Sequence, residues 1–428
     1  MSEKSSVQTN KVHRNQIMAI GSQIRLSDSD PHSELDMYSY NSCTDTDPEI
    51  IKKCNGIVFN KENIVIDGLP YIKTFNTSDK DLLPFLDSVG EHRTFLSHEG
   101  VLLRIFYFKD KWFVSTNKKL NAFRSKWSSK DSYGNILKNS IDYLYSQENS
   151  DVHNLLKDMD VYNPYKSFLS TLNKEHVYLL LLNNTYENRI VCNAPEFPSV
   201  YHVGTFIDKQ LDLDHNISLP KLQEKQFESN EDLIQFVDGI SVQDNPGVYV
   251  FDRNNTPYQI CKDEYSKLYS VRGNEPSIKF RYLQVRMIRE QVDMLYYLYP
   301  KFADQFDNYE NILYECAKQI NYNYIKRFIK KKYITVPRED YQIMKKCHQW
   351  HLQDRERNRI SLTKIIEVMN EESATVLNRI IRKHKSERET QQTRQQIRLL
   401  NPRAKSYGTP QIQPLRLEPV NKVDSLKI

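Results

Sequence analysis

A change of hydrophobic period near residue 280 constrains this chain more than any other feature. Before it, short apolar runs alternate with turn residues at 56–59, 63–66, 101–106, 112–115, 177–182, 247–251 and 258–261. Runs of this length and spacing predict strands. Lys109-Asp110-Lys111 and the 252–255 segment sit between neighbouring runs, where hairpin turns belong. Helical periods intervene near 135–160 and 229–239. After residue 280 the period becomes helical: 281–299 up to Pro300, then 308–332, 338–351 and 360–384. Ile312, Leu313, Cys316, Ile320, Ile325 and Phe328 fall on one face of the second of these. The expected class is α+β: a mostly antiparallel domain at 36–275, then a helical domain at 276–385. A polar start (1–35) is expected to be flexible and the 386–428 tail disordered.

A chain of 428 residues suits two or three domains. The formal charge of +5 permits a nucleic-acid partner without requiring one. The six cysteines are scattered and form no CxxC pair, which fits reduced thiols in an intracellular compartment. No run is long enough for a membrane span, and the start lacks the apolar core of a signal peptide. Eleven glycines are few, which argues against a glycine-rich phosphate loop.

Five landmarks follow in one order between residues 53 and 265. Lys53-Cys54-Asn55-Gly56-Ile57-Val58-Phe59 is followed by Leu69-Pro70-Tyr71-Ile72-Lys73-Thr74-Phe75-Asn76. Next come Ser97-His98-Glu99-Gly100-Val101-Leu102, and then Ser115-Thr116-Asn117-Lys118. The apolar run from Tyr178 leads to Asn188-Arg189-Ile190-Val191. Last are Pro246-Gly247-Val248-Tyr249-Val250 and Tyr258-Gln259-Ile260-Cys261-Lys262-Asp263-Glu264-Tyr265. In this order they resemble the ATP-dependent RNA ligases of T-even phages and large DNA viruses, which belong to the nucleotidyltransferase superfamily. The corresponding family patterns are E-C-R-G-I-x-F, R-P-x-x-K-F-F-N, K-E-D-G-S-L, K-S-K-G, F-E-F with N-R-I-V, E-G-Y-V and F-K-I-K-S-D-x-Y. The resemblance implies a ligase-like sheet domain and a viral source.

The chemistry of such ligases shows what the differences mean. A lysine amine attacks the ATP α-phosphate, carboxylates organise ribose and metal, and paired lysines neutralise charge as pyrophosphate leaves. Ser97 stands at the nucleophile position and cannot form a phosphoramidate. Pro246 replaces a carboxylate, Gln259 and Cys261 replace the lysine pair, and Asn55 replaces an arginine. The strand at 178–182 has no acid. Asn55, Lys73, Glu99, Lys118, Arg189 and Lys262 would line what remains of the cleft. The resemblance therefore implies a degenerate ligase that keeps RNA or DNA ends, or a viral protein, as partner, with no cofactor. A second register reads Lys53-Cys54-Asn55-Gly56 as K-x-D-G with Asn for Asp. It makes Lys53 the nucleophile of an active nucleotidyltransferase using ATP or GTP with Mg²⁺. A third reading is a structural or assembly protein with a vestigial cleft.

Two further features fall outside these landmarks. Lys326, Arg327, Lys330, Lys331 and Lys332 form a basic run with Tyr322, Tyr324, Phe328 and Tyr333 interleaved. Such a run could grip phosphates while rings stack bases, or could be a solvated helix face. Arg272, Lys279 and Arg281 could extend that surface. Cys347-His348-Gln349-Trp350-His351 supplies at most three ligands from one helix, too few for a structural zinc site, and no metal is expected.

Overall fold

The computed structural model describes residues 14–148 and 163–400. Residues 1–13, 401–428 and the 149–162 end of an expected helix lie outside the described residues. The chain divides into two compact units, 1–303 and 304–428. Among the described residues no helix is long and apolar enough to cross a membrane.

The described residues of the first unit are α+β, with three sheets. Strands β1 (Ile24–Asp30), β2 (Leu35–Tyr40), β3 (Asn55–Asn60) and β4 (Asn63–Ile66) form an antiparallel meander. Residues 14–30, read from sequence as part of a flexible start, form helix Arg14–Ala19 and β1. Ile17 and Ile24 anchor them in the core beside Ile57 and Phe59. Ahead lie β5 (Lys73–Asn76), β6 (Arg93–Leu96), β7 (Gly100–Phe108), β8 (Lys111–Ser115), β9 (Val177–Asn183), β10 (Val200–Ile207) and β11 (Gln210–Asp212). Then follow β12 (Glu224–Lys225), β13 (Gly247–Phe251) and β14 (Pro257–Cys261). The second sheet has the order β11-β10-β9-β7-β8 and the third β12-β6-β13-β14-β5. Among the named strands of the described residues, only the β14–β5 pair is parallel.

Local chemistry explains these elements. Lys109 and Asp110 both have positive φ (44° and 64°), the geometry of a two-residue hairpin turn, and Phe108 pairs with Lys111 across it. β9 lies between β7 and β10, and its side chains are buried on both faces. Tyr178, Leu180 and Leu182 pack with Ile136, Leu137 and Phe168 of the covering helices, and Leu181 faces the third sheet. An unbroken apolar run is the sequence signature of a strand covered on both sides. On the far face of the third sheet, Phe75, Val248, Val250 and Ile260 pack on helices Leu82–Val89 and Asn230–Gly239.

Two helical expectations change in detail. The 281–299 stretch is two helices, Ile278–Val285 and Arg289–Leu298, both in the first unit. The 360–384 stretch is also two, Leu362–Asn370 and Ala374–Leu400. Ser373 accepts from the Val376 N–H and starts the second, a cap signal inside an otherwise continuous period. The second unit is helical, with Phe306, Ile312, Ile320, Ile343, Met344 and Ile365 in its core.

Candidate functional site

β6 belongs to the third sheet and β7 to the second, so Ser97-His98-Glu99 is the strap joining the two sheets. Ser97 is fully buried. Its N–H donates to the Gly247 carbonyl at 3.0 Å, and its Oγ has no partner among the described residues. The Glu99 carboxylate accepts from two successive backbone N–H groups, Ile190 at 3.0 Å and Val191 at 2.7 Å. Its carbonyl accepts from the Asn184 N–H at 3.1 Å. Both ends of Glu99 thus pin the loop after β9. Burial, with the Glu99 charge nearby, pushes the Cys192 thiol and the Tyr265 hydroxyl well above their ordinary values. His98 stacks on Tyr201, with centroids 4.8 Å apart and planes 10° apart, and burial lowers its pKa.

The 189–191 segment is locked from its other side. Tyr299 Oη lies 2.8 Å from the Ile190 carbonyl and accepts from Arg272 Nε at 2.9 Å. The Arg189 guanidinium lies 5.2 Å over the Tyr299 ring, and that of Arg272 lies 4.7 Å over Trp127. Arg272 is therefore a buried clamp and does not extend a basic surface. Asn188 is buried and accepts from the Thr185 N–H and hydroxyl, shaping the turn before Arg189.

Leu102, Leu179, Leu181 and Val203 of the second sheet meet Tyr249 and Phe251 of the third, leaving a cavity of about 20 Å³. Small-molecule pockets are typically about 300–1,000 Å³. Leu179 and Leu181 stand on the strand where an acid would be expected. Pro246 is buried, Gln259 is half-buried, and Cys261 is buried with its thiol pushed up to about 12. Two retained glycines have steric reasons unrelated to chemistry. A Cβ on Gly100 would lie 2.3 Å from the Leu182 carbonyl oxygen. One on Gly247, at φ +145°, would lie 2.0 Å from that of Ile260.

The other residues picked out by sequence do not gather at the strap. Lys73 lies on the helix-covered face of the third sheet, 4.4 Å over Phe75, and pairs with Asp45 at 3.8 Å. It lines a cavity of about 850 Å³ together with Lys52, Lys53, Lys209, Tyr71 and Tyr258. Lys53 is exposed, and Glu99 is not among the lining residues. Asn55 instead accepts from Asn117 Nδ2 at 3.1 Å, beside the turn in which Thr116 Oγ1 accepts from the Lys118 N–H. Lys262 pairs with Glu264 at 3.7 Å.

Arg104 escaped the sequence reading. It is fully buried, donating at 2.8 Å to the Asp67 carbonyl and at 2.7 Å to that of Gly56. Burial pulls it down to about 10. A single arginine inside the 101–106 apolar run was the available signal.

In the helical unit, a π turn (Ile325–Ile329) extends helix Ala303–Tyr324. Lys330, Lys331 and Lys332 are exposed and Lys326 is half-buried. Arg327 is tied down, donating to the Ile334 carbonyl at 3.1 Å and lying 4.9 Å over Tyr341. Tyr324 and Phe328 turn inward and stack on each other, and both meet His348 in tilted ring contacts. Cys347 is buried, and the His351 ring nitrogen meets the Asn358 carbonyl at 2.6 Å. Among the described residues no group of three or more His, Cys, Asp or Glu is placed to hold a metal ion.

No family model matches the chain. It is 25% identical over 367 residues, 79% of each chain, to the immediate-early protein ICP-46 homolog of Invertebrate iridescent virus 6. It is 26% identical over 234 residues to the ICP-46 homolog of Invertebrate iridescent virus 3, covering 54% of this chain and 48% of that protein. Among solved structures it is similar to an archaeal ATP-dependent RNA ligase. The TM-score is 0.34 at 10% identity, over 65% of this chain and 68% of that one.

Proposed function

We propose that this chain is a viral protein built on a ligase-like nucleotidyltransferase scaffold that has lost nucleotide transfer and acts by binding, with nucleic acid as the ligand. The observation that carries the reading is the apolar packing between the two sheets. Leu179, Leu181, Tyr249 and Phe251 leave only a small cavity between the sheets, which supports the reading if the nucleotide of a ligase would sit there. Two further observations support it. Ser97 at the nucleophile position is fully buried and carries no amine. Glu99, the acidic residue retained in that motif, is engaged by two backbone N–H groups. With one backbone N–H on each oxygen this carboxylate acts as a structural brace, and about half of its acceptor sites are committed to the loop.

A second reading has one observation in its favour. Lys53 is exposed on a cavity large enough for a nucleotide, with Lys73 and Tyr71 beside it. One experiment decides between the readings. The full-length protein is incubated with α-³²P-ATP or α-³²P-GTP and Mg²⁺, and acid-stable, hydroxylamine-sensitive label is sought on the chain. No label above a boiled control supports loss of transfer. A label that disappears in Lys53→Ala overturns it in favour of an active nucleotidyltransferase.

A further inference from the structure

We propose that the outer face of helix Ala303–Tyr324, continued through the π turn to Lys332, binds single-stranded nucleic acid. This rests on the binding role proposed above and names its surface. Tyr314, Lys318, Tyr322, Lys326 and Lys330 recur every four residues along it. Tyr314 is 46% exposed and Tyr322 53%, while Ile312, Leu313, Cys316 and Ile320 of the same helix are buried. The tyrosines thus stand outside the core that an amphipathic helix would otherwise reserve for rings.

The π turn keeps the ladder straight. In an α-helix each four-residue step turns about 40° past a full revolution, so a long ladder would wind off its face. The turn closed by the Lys330 N–H on the Ile325 carbonyl is wider and rotates less per residue. It swings Lys326 and Lys330 back toward the line of Tyr322. The chain then leaves through Lys331 at φ 55°, a left-handed helix end usually given to glycine. Here it carries a lysine, with Tyr333 93% exposed just beyond.

The charge points to a polyanion. Glu315 pairs with Lys318 at 2.8 Å, whereas Lys326, Lys330, Lys331 and Lys332 form no ion pair among the described residues. The ammonium of Lys318 lies 4.4 Å over Tyr314, and that of Lys326 lies 4.2 Å over Tyr322. Each pair places a cation over a ring, and the two pairs stand eight residues, about 12 Å, apart along the axis. Bases and phosphates of an extended strand alternate in the same way. A base takes the ring face while the displaced ammonium moves to a phosphate. An acidic peptide would use the lysines but leave the ring faces idle.

The test is fluorescence anisotropy of the full-length protein with a labelled single-stranded RNA of about 12 nucleotides across a salt series. The slope of log K against log salt should fall by about 1.4 in the Lys326→Ala/Lys330→Ala double variant. The Lys326→Arg/Lys330→Arg variant should keep the wild-type slope. Tyr322→Ala should weaken binding at least about 5-fold with an unchanged slope. All substituted side chains lie on this outer face, and circular dichroism checks that helicity is retained. Binding unmoved by these variants overturns the proposal. So does equal or tighter binding of a duplex of the same sequence, or displacement by polyglutamate with no effect of Tyr322→Ala. The labelling assay with ATP is independent of all these outcomes, so the cleft reading and the ladder can fail separately.

Discussion

Glu99 provides the sharpest test, because a catalytic carboxylate and a structural one respond to substitution in opposite ways. It accepts from the N–H groups of Ile190 and Val191 at 3.0 and 2.7 Å. Hydrogen bonds to a charged acceptor contribute about 1.5–3 kcal/mol each. Glu99→Gln keeps one carbonyl oxygen for one of these donors and turns an NH₂ toward the other. One bond is lost, the other loses its charge assistance, and a backbone N–H is left facing a donor. The expected loss is about 2–4 kcal/mol. The first unit spans residues 1–303. At about 2.1 cal/mol/K per residue its unfolding entropy is about 0.6 kcal/mol/K, so Tm should fall by about 3–6 °C. The assay is differential scanning fluorimetry of wild type, Glu99→Gln and a control at the exposed Glu196, Glu196→Gln. A Glu99→Gln Tm within 1 °C of wild type would refute the brace. If the same variant also abolished a nucleotide label, Glu99 would be a catalytic group.

Ser97→Lys should not restore nucleotide transfer. Ser97 has no exposure, so an added ammonium would be buried without a carboxylate partner, destabilising the fold by more than about 3 kcal/mol. Label on a stable Ser97→Lys protein would contradict the packing described for the strap. His202 should make stability depend on pH. Burial, with Lys221 nearby, pulls this buried imidazole down to about 4 from 6.5. Between those values the unfolded chain binds more protons than the folded one. Stability therefore falls as pH drops from about 6.5 toward 4, by about 2 kcal/mol at pH 5. His202→Gln, which can keep the 2.9 Å contact to Thr205 Oγ1, should flatten the Tm–pH curve over that window. An unchanged slope would show that His202 does not govern it.

The parts of this fold that were legible in sequence are those whose signal is local. The 177–182 run could be placed as a strand because burial on both faces demands unbroken apolar residues. The hairpin at Lys109-Asp110-Lys111 could be placed because a short polar gap between apolar runs favours a tight turn, and the structure fixes it as the two residues Lys109 and Asp110. What failed was pairing at a distance. Motif order places Lys73 in one cleft with Glu99 and Lys262, but strand alternation decides the face. Lys73 falls in register with Tyr258, one residue out of phase with Gln259. Arg272 read as a surface cation because nothing near it in sequence announces Trp127 or Tyr299 as its partners.

The same distinction bears on what happens when a scaffold outlives its chemistry. Gly100 and Gly247 lie where strand backbones approach too closely for a Cβ, and Asn188 closes a buried turn. Substitution at these positions costs stability whether or not a nucleotide ever binds. Under the reading proposed above, positions that serve only the reaction have no such constraint and can drift toward whatever packs best, as the leucines on β9, Pro246 and Cys261 would have done. Glu99 lies between the two cases. Two backbone donors arranged in sequence will hold a carboxylate for architectural reasons alone. An acidic residue at a motif position is therefore weak evidence for activity unless its oxygens remain free. In this chain each Glu99 oxygen is already engaged by a backbone N–H, while Lys330, Lys331 and Lys332 of the helical unit are exposed and form no ion pair among the described residues.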